Sequence, residues 1–147
     1  GGVLLGSDVS VAGGTLTALP TRDAMLPMLS VLGLGLKEGK LISELVAALP
    51  ARFAMSGRLE HVGPEKTGPF LERLQDVAFH EAYFDGKGTI RAIDRIDGVR
   101  FVFESGDTVH YRASGNAPEL RCYAETGYQA RSAALLDWGL AKAAQSL

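Results

Sequence analysis

Residues 99–125 read V-R-F-V-F-E-S-G-D-T-V-H-Y-R-A-S-G-N-A-P-E-L-R-C-Y-A-E, and this stretch decides the fold of the C-terminal half. Apolar and polar side chains alternate along 99–104, 107–112 and 119–125. Such alternation is typical of β-strands that bury one face and expose the other. A Ser-Gly-Asp turn at 105–107 separates the first two runs, so we predict antiparallel strands joined by short turns.

The neighbouring sequence extends this sheet and supplies helices to cover it. A further alternating run, 89–96, precedes the stretch, and the Asp97-Gly98 turn that joins them is a strong hairpin signal. Residues 127–146 place apolar side chains near one stripe of a helix, and a short helix is predicted at 69–76. We therefore predict an α+β unit in which helices pack against a four-stranded antiparallel sheet.

The N-terminal half predicts a strand followed by two helices. Residues 1–9 form the predicted strand, which ends in a glycine-rich turn. The first helix is predicted over 22–33 and the second over 41–49. Gly33 and Gly35 are expected to stop the first helix, because glycine is a poor residue for a helix interior.

A segment rich in proline and glycine suggests where the chain divides. Residues 62–69 read V-G-P-E-K-T-G-P and form the predicted linker. Gly63 and Gly68 can absorb backbone rotation. We therefore expect residues 1–61 and 70–147 to move as separate rigid bodies about this linker.

Composition and charge argue against several classes of partner. The chain has 147 residues, a net charge of −2 and an isoelectric point near 5.9, whereas nucleic-acid binders usually carry a basic patch. Aromatic residues make up 7%, too few for a base-stacking surface. No apolar run approaches the roughly 20 residues of a membrane helix. The single cysteine cannot form an intramolecular disulfide and fits the cytoplasm, so we expect neither nucleic acid nor a membrane as partner.

The turn between the last two strands has the chemistry of a phosphate-binding loop. Arg112 supplies a fixed charge and a planar fork of donors, while Ser114 and Asn116 supply short side-chain donors. Gly115 is expected to adopt a positive φ, so that successive N–H groups converge on an oxyanion. The alternative is an ordinary turn beside an exposed arginine.

Other residues with potential chemistry have simpler structural interpretations. Arg121 either reaches the same oxyanion or pairs with Glu119 or Glu125, which lie on the same face of the strand. Cys122 is interpreted as a small buried apolar residue rather than a nucleophile. Asp97 is assigned to its turn. The three histidines are far apart in sequence, so we predict no metal site in this chain.

Residues 112–121, R-A-S-G-N-A-P-E-L-R, resemble the C-terminal loop of the α-D-phosphohexomutases, whose pattern is R-x-S-G-T-E-P-x-x-R. Asn116 stands for the threonine of that pattern, and Ala117 stands for its glutamate. The longer stretch 99–125 is similar to the last sheet of the family's fourth domain. The resemblance implies a phosphate-binding role for the loop.

The resemblance also implies a domain division. T-R-D-A-M-L-P at 21–27 and I-S-E-L-V-A-A-L-P-A-R-F at 42–53 are similar to the end of the family's third domain. Residues 1–65 would then be the C-terminal part of that α/β, sugar-recognition domain. Residues 66–147 would be the fourth, phosphate-binding domain, with a sheet like that of the TATA-box-binding protein.

The family's sugar-reading loop is only partly represented. Its pattern is G-E-x-S-G-H, whereas this chain reads G-G-V-L-L-G-S-D at 1–8. The glutamate is absent, and Leu5 lies where the serine is expected. Only Gly6 and Ser7 carry over as candidates for sugar recognition, and a structural turn is the alternative.

The family isomerises hexose phosphates by moving a phosphoryl group within the substrate. It uses a phosphoserine in its first domain and Mg²⁺ held by a D-x-D-x-D loop in its second, and neither motif occurs in this sequence. The chain is therefore expected to bind mannose or glucose 1- or 6-phosphate without catalysing the isomerisation. Its implied partners are that hexose phosphate and the N-terminal domains of the same chain.

Several functions remain open at this point. Within the family, a phosphomannomutase is the first choice, and a phosphoglucomutase or phosphoglucosamine mutase is the alternative. A stand-alone anion-binding module is a candidate from another class. Finding the phosphoserine and D-x-D-x-D motifs in the parent reading frame would distinguish these classes. A nucleic-acid module built on a similar sheet is disfavoured by the acidic balance and the few aromatic residues.

Overall fold

The structure, a computed structural model, describes residues 2–147 and divides the chain into two units, Gly1–Pro50 and Ala51–Leu147. Each unit is described by itself below. Gly1, where the predicted strand 1–9 begins, lies outside the described residues. None of the helices within 2–147 has the length and apolar character that a membrane crossing requires.

The first unit contains two small sheets and two helices. Its elements are β1 (Val3–Leu5), β2 (Val9–Val11), β3 (Gly14–Leu16), β4 (Leu19–Asp23), α1 (Met25–Glu38) and α2 (Ile42–Ala47). Strand β1 pairs with β4 and β2 with β3, both antiparallel. The hairpin of β2 and β3 has a tight turn, because Val11 lies directly opposite Gly14 and Gly13 has a φ of 100°.

Helix α1 differs from its prediction at both ends. It begins after Asp23, whose carboxylate accepts a hydrogen bond from the backbone N–H of Leu26 at 2.6 Å. It continues through both predicted stop residues and ends at Gly39, whose φ of 64° closes the last turn. Gly35 is retained inside the helix because a Cβ there would lie 3.0 Å from the carbonyl oxygen of Lys40.

The second unit contains a single sheet with three helices. Its elements are β5 (Phe53–Glu60), α3 (Pro64–Arg73), α4 (Val77–Tyr83), β6 (Ile90–Asp94), β7 (Val99–Phe103), β8 (Thr108–Ala113), β9 (Glu119–Thr126) and α5 (Gln129–Ser146). The strand order is β5-β9-β8-β7-β6, and every pair is antiparallel. The α+β class and the meander are confirmed, and the sheet has five strands instead of four.

Strand β5 moves the boundary between the two parts of the chain. The sequence assigned it to the first part, up to residue 65, but it pairs with β9 along its whole length. The division therefore lies between Pro50 and Ala51. The predicted linker at 62–69 is instead the start of α3, with Pro64 at the first helical position, where its missing N–H costs nothing. The expected hinge at this segment is wrong, because β5 and the strands after it share one sheet.

One face of the sheet forms the core with the helices. Alternate residues of β9 are buried there, from Leu120 through Cys122 to Ala124. Tyr111 is fully buried, and its hydroxyl donates to the carbonyl of Gly139 at 2.8 Å while accepting from Tyr83 at 3.0 Å. Because the buried hydroxyls are paired, this face gains hydrophobic stabilisation without unsatisfied polar groups. Each large apolar side chain buried there contributes about 1.5–3 kcal/mol.

Two hairpin glycines with the same backbone conformation should differ in their tolerance of alanine. Gly98 and Gly106 have φ of 81° and 82°, so alanine at either should cost about 1–2 kcal/mol. A Cβ at Gly98 would lie 2.2 Å from the carbonyl oxygen of Tyr111, whereas one at Gly106 would meet only Arg52 at 3.6 Å. Gly98→Ala should therefore cost about 1–3 kcal/mol more than Gly106→Ala in urea unfolding. Equal losses would contradict the observed approach of this turn to β8.

Burial of the thiol predicts a loss of stability in alkali. Burial raises the pKa of Cys122 from 9.0 to about 12. Above pH 9 the unfolded chain releases this proton while the folded chain keeps it, so stability should fall as pH rises from 9 towards 12. Between pH 8 and 9.5 the unfolding free energy should drop by about 0.8 kcal/mol more in the wild type than in Cys122→Ala. Parallel pH profiles for the two proteins would show that the thiol ionises alike in both states.

Candidate functional site

The candidate loop lies at the end of β8 and β9, as expected from the sequence. The N–H of Ser114 donates to the carbonyl of Glu119 at 3.0 Å, and this bond closes the base of the loop. The N–H of Glu119 donates to Ala117 at 2.8 Å and tightens the return into β9. Gly115 and Asn116, at the tip, are exposed. The loop is thus a short, closed connection whose tip is open to a ligand.

Within residues 2–147, Arg112 has one ion-pair partner. Its Nη1 donates to Asp97 at 2.7 Å, and about a third of its side chain is exposed. A guanidinium has five N–H donors, so one pairing leaves a fork for an oxyanion. Asp97 belongs to the turn between β6 and β7, as predicted. Its contact with Arg112 was not predicted, because it depends on the register of β7 against β8.

The loop tip differs from the expected geometry. Within residues 2–147, Gly115 is not among the glycines with positive φ, so the expected left-handed conformation is wrong. Its surroundings are nevertheless open, since a Cβ there would meet nothing within 4 Å. The N–H of Asn116 lies 3.5 Å from the hydroxyl oxygen of Ser114, which is the outer limit of a hydrogen bond. The Ser114 hydroxyl is therefore only loosely engaged.

Arg121 lies beside Arg112 on the face of the sheet away from the helices. The two residues are directly opposite each other on β9 and β8. Arg121 faces Glu119 at 3.6 Å, whereas Glu125 pairs with Arg52 at 2.7 Å. Of the pairings left open by the sequence, the structure has the one with Glu119. That contact does not exclude a ligand, because the distance is longer than a charge-assisted hydrogen bond.

The two candidates for sugar recognition lie in the first unit. Gly6 and Ser7 follow β1 and are both exposed. A Cβ at Gly6 would meet nothing within 4 Å, so no close backbone contact explains this glycine. Their role in sugar recognition stays a prediction.

The residues of the chain do not fit a magnesium site. Within residues 2–147, no three His, Cys, Asp or Glu side chains come together as metal ligands do. His80 is buried, with its Nδ1 3.2 Å from the carbonyl of Leu74, and His110 stacks on Tyr123. The Asp94 carboxylate accepts from the N–H of Ile96 in its turn.

Comparison with known proteins relates the whole chain to sugar-phosphate enzymes. The phosphomannomutase of Sinorhizobium fredii is 38% identical over 142 residues, which make up 96% of this chain and 30% of that protein. The phosphomannomutase of Salmonella muenchen is 42% identical over 137 residues, or 88% of this chain and 27% of that protein. Over nearly its whole length, this chain is thus similar to part of two phosphomannomutases.

A more distant phosphohexomutase gives the same result. The phosphoglucomutase/phosphomannomutase of Thermococcus kodakarensis is 25% identical over 119 residues, covering 81% of this chain and 24% of that protein. No protein-family model matches the chain. The chain spans less than a third of the length of these relatives and so matches only part of each.

The open space at the loop tip predicts a tolerated substitution. Gly115 has no positive φ, and a Cβ there meets nothing, so Gly115→Ala should leave the unfolding free energy unchanged or raise it by about 0.4–1 kcal/mol. Thermal or urea unfolding of the 147-residue chain measures this, with Gly106→Ala as the destabilised comparison. A loss as large as that of Gly106→Ala would mean that the loop requires a left-handed residue after all.

Proposed function

We propose that this chain is the C-terminal part of a phosphohexomutase and that its 112–116 loop binds the phosphate of a hexose phosphate. The observation that carries the proposal is the position of Arg112. Arg112 lies on β8 two residues before Ser114, which leads into the exposed tip at Gly115 and Asn116, and Arg121 is directly opposite on the next strand. The names of the relatives support the same assignment. Two proteins that align with nearly the whole of this chain are named phosphomannomutase.

The charges and donors of this site suit a phosphate monoester. Side chains directly opposite on antiparallel strands have Cβ atoms about 4.5–5.5 Å apart, so Arg112 and Arg121 can share one oxyanion. Arg112 can keep its bond to Asp97 and present its remaining donors as a fork, which matches two phosphate oxygens. The Ser114 hydroxyl and the N–H groups of the loop tip supply neutral donors.

The part of the reaction that falls to these residues is binding and orientation. A phosphate held at this loop fixes one end of the sugar while the other end reacts elsewhere in the parent enzyme. Binding energy gained at such a remote group can be used to orient the reacting centre. The chemistry of the phosphoserine and of Mg²⁺, which the family resemblance implies, belongs to other parts of the parent. We therefore expect the isolated chain to bind and to have no mutase activity.

Mannose phosphate is the first substrate we propose. Two of the relatives are named phosphomannomutase, and the third is named phosphoglucomutase/phosphomannomutase, which makes glucose phosphate the second candidate. The sequence pattern of the sugar-reading loop does not decide between them, because its glutamate is absent. Assays of the full-length protein on mannose, glucose and glucosamine phosphates would rank the substrates.

Neutralising Arg112 should weaken phosphate binding without unfolding the chain. Loss of a charge-assisted hydrogen bond costs about 1.5–3 kcal/mol, so Arg112→Gln should reduce the affinity for mannose 1-phosphate about 10-fold or more. The matched control is Arg91→Gln, which removes the same charge from the exposed edge strand β6. An NMR titration of the chain should first shift the amides of 114–116. Silent loop amides, or equal affinity in Arg112→Gln and wild type, would refute the proposed function.

A further inference from the structure

Three arginines lie in a row across three neighbouring strands. Arg58 on β5 is directly opposite Arg121 on β9, and Arg121 is directly opposite Arg112 on β8. All three point away from the helices, because the residues next to them along each strand, Gly57, Cys122 and Tyr111, face the helices. We call the side of the sheet that carries the row the open face.

The row places three positive charges side by side, and the central one, Arg121, has only a long ion pair with Glu119 to compensate it among the described residues. Like charges directly opposite each other on paired strands are destabilising. Arg58 donates to Glu60 at 2.9 Å, and Glu119 lies 3.5 Å from Arg58 and 3.6 Å from Arg121. Within residues 2–147, Glu119 is the only carboxylate paired with Arg121. The central guanidinium thus retains donors for an additional oxyanion.

A cleft opens at this point of the sheet. Its volume is about 440 Å³, and it is lined by Ser56, Gly57, Arg58, Arg121 and Tyr123. Ser56 and Tyr123 are directly opposite each other, and they lie two residues along their strands from Arg58 and Arg121. Among the described residues, the lining offers two guanidinium groups and two hydroxyls, while Glu60 and Glu119 contact these guanidinium groups from outside the lining. Such a donor set suits a phosphate group and does not suit a metal cation.

We propose that Arg58 and Arg121, with the hydroxyls of Ser56 and Tyr123, form a second phosphate subsite on the open face. Arg121 is shared with the 112–116 loop, so this inference rests on the proposed function. The ligand is a phosphate monoester of the class that the loop binds. Strands are about 4.8 Å apart, so the row places the two subsites next to each other along one track of arginines. In this proposal Arg58, on β5, binds phosphate although it lies outside the family pattern at 112–121.

The test is a titration of the 147-residue chain with inorganic phosphate at constant ionic strength. Amide and arginine Nε–Hε resonances are followed for both subsites. Arg58→Gln should weaken the phosphate affinity that is measured at Ser56, Arg121 and Tyr123 about 10-fold or more, as expected for one lost charge-assisted bond. The matched control is Arg52→Gln, which removes the same charge just before β5, where Arg52 pairs with Glu125 outside the cleft. The control should bind as the wild type does.

The outcomes separate the subsite from the proposed function. Shifts at the loop with a silent cleft, and Arg58→Gln equal to wild type, overturn the subsite and leave the loop assignment intact. Shifts in the cleft that Arg58→Gln removes, with a silent loop, support the subsite and refute the loop. Silence at both overturns both.

Folding of the variants is checked by thermal melting. Arg58 is more than half exposed and flanked by like charge, so Arg58→Gln should melt at or above the wild-type temperature. If it fails to fold, Arg58→Lys replaces it. Lysine keeps the charge and loses the planar fork, so an unchanged cleft affinity in Arg58→Lys overturns the subsite.

Discussion

The register between β8 and β9 is the constraint on which the second unit depends. Tyr111 lies opposite Cys122, and Arg112 lies opposite Arg121. Because side chains alternate between the two faces of a strand, a slip of β8 by one residue would exchange its side chains between the face that packs against the helices and the open face. The charge of Arg112 would then enter the core, and Tyr111 would leave it. The same strand register therefore fixes both the core and the positions of the arginines.

The two faces of this sheet carry different kinds of side chain. The helix face holds the apolar side chains and the paired hydroxyls of Tyr83 and Tyr111, which set the unfolding free energy. The open face carries charged side chains whose removal leaves no cavity. Charge substitutions on the open face should cost the fold little, whereas volume changes on the face that packs against the helices lower the unfolding free energy. The turn at Gly98 is an exception, since it lies against both Tyr111, which is part of the core, and Arg112, which is on the open face.

Much of the second unit could be predicted from local patterns. The strands from 90 to 126 and the helix at 129–146 follow from alternation, turn residues and a helical stripe, which are all local signals. Strand β5 was missed as part of the sheet because its partner, 119–126, is distant in sequence. Gly35 was misread because glycine's low helix propensity is overridden by a close approach to Lys40.

The site shows the same limit. Arg112 and the loop residues were predicted from their chemistry and the family pattern, whereas Asp97 and Arg58 come close to the candidate site through strand pairing.

The order of the strands also affects synthesis of the chain. Strand β5 leaves the ribosome first in its unit, yet its only neighbour in the sheet is β9, the last strand to emerge. Until then β5 has no partner strand, and such an edge can pair with other chains. Nascent chains stalled before β9 should therefore need chaperone protection that the completed unit does not.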